Sequence, residues 1–128
     1  MALTLAREGA DGFSRHPGFE RKLARALKGE AKFDAFTRGR YAADASIYQI
    51  MPLGVVFPKQ ADDLEAVLRI AGEDGLTIIP RGAGTSQNGQ PIGAGLVVDF
   101  SRSFNAIKSY DPDARMVEVE PGIVLERL

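Results

Sequence analysis

Cysteine is absent from the 128 residues, so the chain can build neither a disulfide framework nor a thiolate metal site, and any redox chemistry has to come from a bound cofactor. A reducing cytosol fits that composition. Long apolar runs are missing too: nothing approaches the roughly 20 consecutive apolar residues of a membrane helix, and the first residues lack the apolar centre of a secretory signal. The expectation is a cytoplasmic chain with no transmembrane segment. Histidine occurs once, at His16, without a partner near it, the pattern of a surface residue rather than of a base or a metal ligand. Charge of one sign is scarce overall, with a net charge of −1, but residues 1–60 hold ten Lys/Arg against six Asp/Glu and residues 61–128 hold six against eleven. The basic residues of the front half are scattered through a helical pattern with no aromatic stacking platform, which reads as a solvated helix face and excludes a nucleic-acid partner.

What remains is an apolar fraction of 45%, enough for a core in about one domain. Gly9, Gly12 and Pro17 interrupt any early pattern, so the chain starts as a lead-in. Phe19, Leu23, Ala26 and Leu27 then recur at helical spacing and predict a short amphipathic helix stopped near Gly29. Residues 30–53 carry Phe33, Phe36, Tyr41 and Tyr48 without one period and predict loop and turns pinned by aromatics. Gly54–Phe57 closed by Pro58 is a buried-strand pattern. Leu64, Val67, Leu68 and Ala71 fall on one helical face, Asp62, Asp63 and Glu65 crowd the first turn where the dipole favours them, and Gly75 supplies a left-handed stop. Leu76–Ile79, ended by Pro80, is a second apolar run, so residues 54–79 spell a βαβ unit with parallel strands. After Leu96–Phe100, the runs Ala106–Tyr110 and Met116–Glu120, joined by a turn at Asp111–Asp113, open an antiparallel meander, and Ile123–Leu128 starts a helix.

Between those patterns lies PRGAGTSQNGQPIGAG, residues 80–95, with five glycines. Gly82 and Gly84 can take positive φ and turn successive N–H groups toward one concavity, the nest geometry that binds anions. Thr85 and Ser86 add hydroxyls and Arg81 a guanidinium, which could also brace the loop by pairing with a carboxylate. The alternative is a glycine-rich surface turn between two subdomains. Position after a strand of a βαβ unit favours a ligand site, because open α/β sheets bind ligands there. Neither a Walker loop nor a Rossmann loop is present: residues 80–100 contain no lysine, and no third glycine follows Gly82 and Gly84 at the required spacing.

The run Pro52–Arg102, continued by VEVEPGIVLERL, resembles the FAD-binding segment of the vanillyl-alcohol oxidase and p-cresol methylhydroxylase superfamily. YAADASIYQIMP, residues 41–52, is similar to its D-2-hydroxyacid branch, which includes FAD-dependent D-lactate, glycolate and D-2-hydroxyglutarate dehydrogenases. The resemblance implies an α+β (α/β) fold: residues 1–35 as lead-in and helix, and residues 36–128 as a partial FAD-binding domain with the βαβ unit at 54–79, the pyrophosphate loop at 80–95 and the start of a second subdomain at 96–128. It places Arg81, Gly82, Ala83, Gly84, Thr85, Ser86, Gly89 and Gln90 along the cofactor and Gly122 in a Pro-Gly bend approaching the flavin. Ala83 stands where many relatives have glycine and requires negative φ. Thr85 stands where covalently flavinylated relatives have histidine, which implies non-covalent FAD. The implied partners are a small 2-hydroxyacid and an electron acceptor, with hydride transfer from substrate to flavin. No catalytic residue and no metal ligand are expected within this chain, whose reading as a leading fragment makes it inactive alone and open to homo-oligomerisation. Two other classes stay open on the residues themselves: a stand-alone nucleotide- or phosphate-binding module, and a non-catalytic folding or interaction unit. The Asp44–Ser46–Tyr48 cluster is read as capping and packing, Asp62 and Asp63 as helix-start residues, and Glu118 and Glu120 as one strand face.

Overall fold

A computed structural model describes residues 18–128; His16 and most of the lead-in lie outside the described residues. Helix α1 (Phe19–Ala26) buries Phe19 and Leu23, one turn apart, and leaves its charged side outward. It is followed by strand β1 (Glu30–Lys32) and a short helix α2 (Ala35–Arg40), capped by the Asp34 carboxylate accepting from Thr37 N–H at 2.8 Å. The loop expected over 30–53 therefore contains two elements. Both are too short to show a period, and Glu30-Ala31-Lys32 has no β-prone residue; it is a strand because β2 (Gly54–Phe57) offers an antiparallel edge in the register Ala31↔Val56.

Helix α3 (Ala61–Asp74) ends as predicted at Gly75, φ +66°, with Leu76 N–H returning to Ala71 O. Its buried face runs through Asp63, Val67, Ile70 and Ala71, whereas Leu68, counted into the apolar face from spacing, is exposed. Asp63 is 1% exposed. Its carboxylate accepts from the N–H groups of Lys28 (2.8 Å), Gly29 (3.0 Å) and Lys59 (2.8 Å), tying the α1–β1 turn to the start of α3. Burial pushes its pKa up, but these backbone bonds outweigh burial and hold it below the usual range. Asp63 is thus a buried clamp rather than simply a helix-start charge.

Strands β3 (Ile78–Arg81) and β4 (Leu96–Asp99) complete a four-stranded sheet in the order β1-β2-β4-β3. β2 and β3 both run parallel to β4, as a βαβ unit requires, but β4 lies between them. Leu96–Asp99, grouped by sequence with the residues after it, is the central buried strand of this sheet. Its even residues, with Val56, meet α1 and α3; Val97, with Val55, Phe57 and Ile79, faces Tyr41. Pro80 is inside β3 rather than past its end, paired in register with Val98, which an edge strand tolerates because the missing N–H faces away from the ladder. The expected antiparallel hairpin is β5 (Ile107–Asp111) with β6 (Met116–Val119). The terminal turn is a 3₁₀ helix, Leu125–Arg127, where an α-helix start was expected. Among the described residues no helix is long and apolar enough to cross a membrane.

Candidate functional site

Gly82 begins immediately where β3 ends, so the loop 82–95 leaves the C-terminal edge of a parallel strand, where the peptide dipoles and free N–H groups of an open α/β sheet face a ligand. None of the N–H groups of residues 82–86 donates a hydrogen bond among the described residues. Five consecutive unspent donors in one short turn are costly unless water or an anion meets them. Positive φ occurs at Gly84 (+73°) and Gly89 (+76°), while Gly82 does not use it and Ala83 keeps the negative φ its methyl requires.

Arg81 is the one charged side chain in residues 80–95. Its guanidinium turns back under the loop: Nη1 donates to Pro91 O at 3.4 Å, and Cζ sits 5.0 Å from the centroid of the Tyr41 ring. A Cβ on Gly84 would come within 2.8 Å of Arg81 Cζ, so Gly84 is needed for space as well as for its left-handed backbone. Arg81 is in no ion pair among the described residues.

A cavity of about 200 Å³ opens beside this arrangement, lined by Arg40, Tyr41, Arg81, Gly82, Asp99 and Ser101 among others. Asp99 is 4% exposed and its oxygens are spoken for: Tyr41 Oη donates to Oδ2 at 2.5 Å, and Ser101 N–H and Oγ donate to Oδ1 at 2.7 and 2.6 Å. Burial, then the Asp99 hydrogen bond, pushes the Tyr41 phenol up to about 12, so it remains a donor at any working pH. Tyr41 also packs edge-on to Phe57, centroids 5.7 Å apart. Sequence reasoning named none of Tyr41, Asp99 and Ser101 as site residues. The usable signal was the carboxylate closing an otherwise apolar strand, LVVD, at the ligand-facing end of the sheet.

The remaining expected positions are brought together unevenly. Ser86 donates its hydroxyl proton to Gln90 Oε1, and its Oγ accepts from Asn88 N–H at 3.2 Å, so Ser86 and Gln90 spend polar capacity on each other rather than offering it outward. Thr85 is exposed. Gly89 is fixed by the Asp44–Ser46–Tyr48 segment: Ser46 N–H donates to Asp44 Oδ1 at 2.8 Å, Tyr48 N–H to Ser46 Oγ at 3.1 Å, and the Tyr48 ring leaves 3.1 Å for a Cβ at Gly89. The Ser46 side-chain hydrogen bond is the largest reason the Asp44 pKa is lowered, and Gly89 N–H adds a smaller contribution. That cluster therefore packs and caps, as its composition suggested, and does so against the loop. Gly122 is buried; its N–H donates to Phe104 O at 2.7 Å, and a Cβ would lie 2.6 Å from Phe100 C. The bend it forms puts Pro121 O 3.7 Å from a Cβ at Gly82, so the Pro-Gly turn does reach the start of the loop. Glu118 and Glu120 accept from Ser109 Oγ (3.4 Å) and Lys108 Nζ (2.6 Å). No group of three or more His, Asp or Glu among the described residues is placed to hold a metal.

The donors present suit a diphosphate: a free amide run, a guanidinium behind it, and a nearby carboxylate already saturated by other donors. Comparison with known proteins agrees with that chemistry. Residues 52–128 match the FAD binding domain family. The chain is 37% identical over 108 residues to D-2-hydroxyglutarate dehydrogenase of Pantoea ananatis, covering 82% of this chain and 11% of that protein. It is 40% identical over 105 residues to the enzyme of that name from Pseudomonas putida, covering 80% and 10%, and 35% identical over 103 residues to glycolate oxidase subunit GlcD of Bacillus subtilis, covering 77% and 22%. Among solved structures, p-cresol methylhydroxylase with substrate bound superposes with a TM-score of 0.72 at 17% identity over 89% of this chain and 23% of that one. Alkyldihydroxyacetonephosphate synthase gives 0.70 at 20% identity over 84% and 25%. These last two likenesses speak for the fold. The chain spans between 10% and 22% of the curated relatives named. With most of its length inside the matched family, the chain, whose fold is shared with p-cresol methylhydroxylase, belongs to the FAD binding domain family.

Proposed function

We propose that this chain is the leading part of the FAD-binding domain of a flavin-dependent oxidoreductase acting on a 2-hydroxyacid of the D-2-hydroxyglutarate, D-lactate or glycolate kind, and that residues 82–86 cradle the FAD pyrophosphate. The observation that carries this reading is the run of free N–H groups from Gly82 to Ser86 at the C-terminal end of a parallel strand, backed by an unpaired Arg81. Bound flavin supplies the hydride acceptor for oxidation of the substrate alcohol carbon; the protein's part is to hold and orient it. Arg81 and the amides neutralise the diphosphate, Gly84 provides close backbone approach, and the Asp44–Tyr48 segment keeps the far side of the loop in shape through Gly89. Threonine at position 85, where covalently flavinylated members of the resembling superfamily carry histidine, and the absence of cysteine support non-covalent attachment through this loop.

The test is made on the polypeptide that carries this segment at its full length. Acid precipitation should leave FAD in the supernatant with an unmodified absorption spectrum, and one of D-2-hydroxyglutarate, D-lactate or glycolate should reduce a dye acceptor. Flavin remaining on the pellet would refute non-covalent binding, and turnover of none of the three acids would refute the substrate class.

A further inference from the structure

Arg81 and Asp99 are Cα partners in the β3–β4 ladder, so their side chains leave adjacent strands on the same face of the sheet, and they line the same cavity. An arginine and a carboxylate so placed would normally form a bidentate pair. They do not: no ion pair joins them. Asp99 accepts instead from Tyr41 Oη and from both donors of Ser101, and Arg81 lies over the Tyr41 ring with its remaining hydrogen bond to Pro91 O. Tyr41 is common to both halves of this separation. Its hydroxyl occupies the carboxylate and its ring face receives the cation, and the ring is itself fixed edge-on against Phe57. Tyr41 follows α2, outside the segment 52–128 that matches the cofactor-binding family.

We propose that Tyr41 is a positioning residue for the phosphate loop: by satisfying Asp99 and seating Arg81, it keeps an in-register Arg–Asp pair from neutralising itself and so holds one positive charge under Gly84 for a diphosphate. This rests on the reading of residues 82–86 as the pyrophosphate cradle. Removing only the hydroxyl leaves Asp99 Oδ2 buried without its donor, and Arg81, its partner in the ladder, stands on the same face in no ion pair among the described residues. The guanidinium then moves from the loop to Asp99, and the cradle loses its charge although every loop residue is unchanged.

The experiment titrates FAD into the flavin-stripped full-length protein and follows quenching of flavin fluorescence at several ionic strengths, with thermal melts as a check on folding. Tyr41→Phe should weaken FAD about tenfold, the factor for one modest electrostatic contact, and flatten the salt dependence. Tyr41→Phe combined with Asp99→Asn removes the competing carboxylate and should recover both the affinity and the salt slope. A merely structural role for Tyr41 would not be rescued by the second substitution. Wild-type affinity and slope in Tyr41→Phe would overturn the proposal, as would a double variant no better than the single one. Gly84→Asp is the control on the underlying reading: if it keeps FAD, the loop assignment itself falls, and if it loses FAD while Tyr41→Phe does not, only the role of Tyr41 falls.

Discussion

Gly84→Asp puts three separable costs on one atom position. The backbone there has φ +73°, which an L-residue occupies at a cost of about 1 kcal/mol, less for Asp than for most. The new Cβ would be 2.8 Å from Arg81 Cζ and 2.9 Å from Nε, so the guanidinium must leave the Tyr41 ring, forfeiting about 0.5–1 kcal/mol of cation–π attraction. The added carboxylate then faces the diphosphate, and a like charge at about 4 Å with an effective dielectric near 20 repels by about 4 kcal/mol. Together these come to about 6 kcal/mol, about four powers of ten in the FAD dissociation constant. Gly84→Ala carries the first two costs without the third and should lose only about tenfold. Both variants are made in the full-length protein, stripped of flavin and titrated with FAD by fluorescence, with the as-purified flavin-to-protein ratio as a second readout. The separation between Asp and Ala is the informative quantity. Equal losses in the two variants would mean that bulk alone matters and that no phosphate lies over residue 84, and no loss in either would refute the loop assignment outright.

Asp63→Asn should destabilise the fold by about 2 kcal/mol, because the buried carboxylate's charge-assisted bonds to three backbone N–H groups are weakened, read as a fall in the urea midpoint at unchanged slope. Since the folded pKa of Asp63 is depressed, its contribution is full above the unfolded carboxylate pKa, about 3.9, and fades as pH falls through the lower folded value; the variant should therefore lose less stability than wild type on acidification through that window, and parallel acid profiles would refute the clamp. The isolated 128-residue chain should bind FAD far more weakly than the full-length protein, show no 2-hydroxyacid turnover, and self-associate through β5 and β6, where Ile107, Tyr110, Met116 and Val117 are all exposed. Tight stoichiometric FAD binding, or a monomer at all concentrations by light scattering, would contradict that reading.

The long elements were legible because each announces its own period. α3 carries an amphipathic face and a glycine stop, β2 and β4 are short apolar runs built around a Val-Val pair, and the hairpin strands are joined by turn residues. What failed were features that depend on neighbours far away in sequence. β1 is a strand only because β2 supplies an edge, Pro80 can sit inside β3 only because β3 is at the edge of the sheet, and β4 could not be placed between β2 and β3 from local pattern at all. The site divides in the same way. Glycine density and a single arginine marked residues 81–84, since those residue types are chosen by the backbone they must adopt. Tyr41 and Asp99 were not marked, because their pairing is a contact between a residue after a short helix and one on a central strand, 58 positions apart.

This division has a physical consequence for how charge is kept available in such a site. An anion cradle built from amides alone carries only partial charges, so a full cation behind it adds substantially to the field at a diphosphate. A cation next to an open sheet end is also next to whatever carboxylate closes the neighbouring strand, and here that neighbour is Asp99, in register with Arg81. Replacing Asp99 by an apolar residue would remove the competition, but it would leave the N–H and hydroxyl of Ser101 without their acceptor at the start of the connection out of β4. Retaining the carboxylate and saturating it with uncharged donors meets both demands. A tyrosine does this with one side chain, because its hydroxyl satisfies the anion while its ring receives the displaced cation; phenylalanine would supply only the second function and serine only the first.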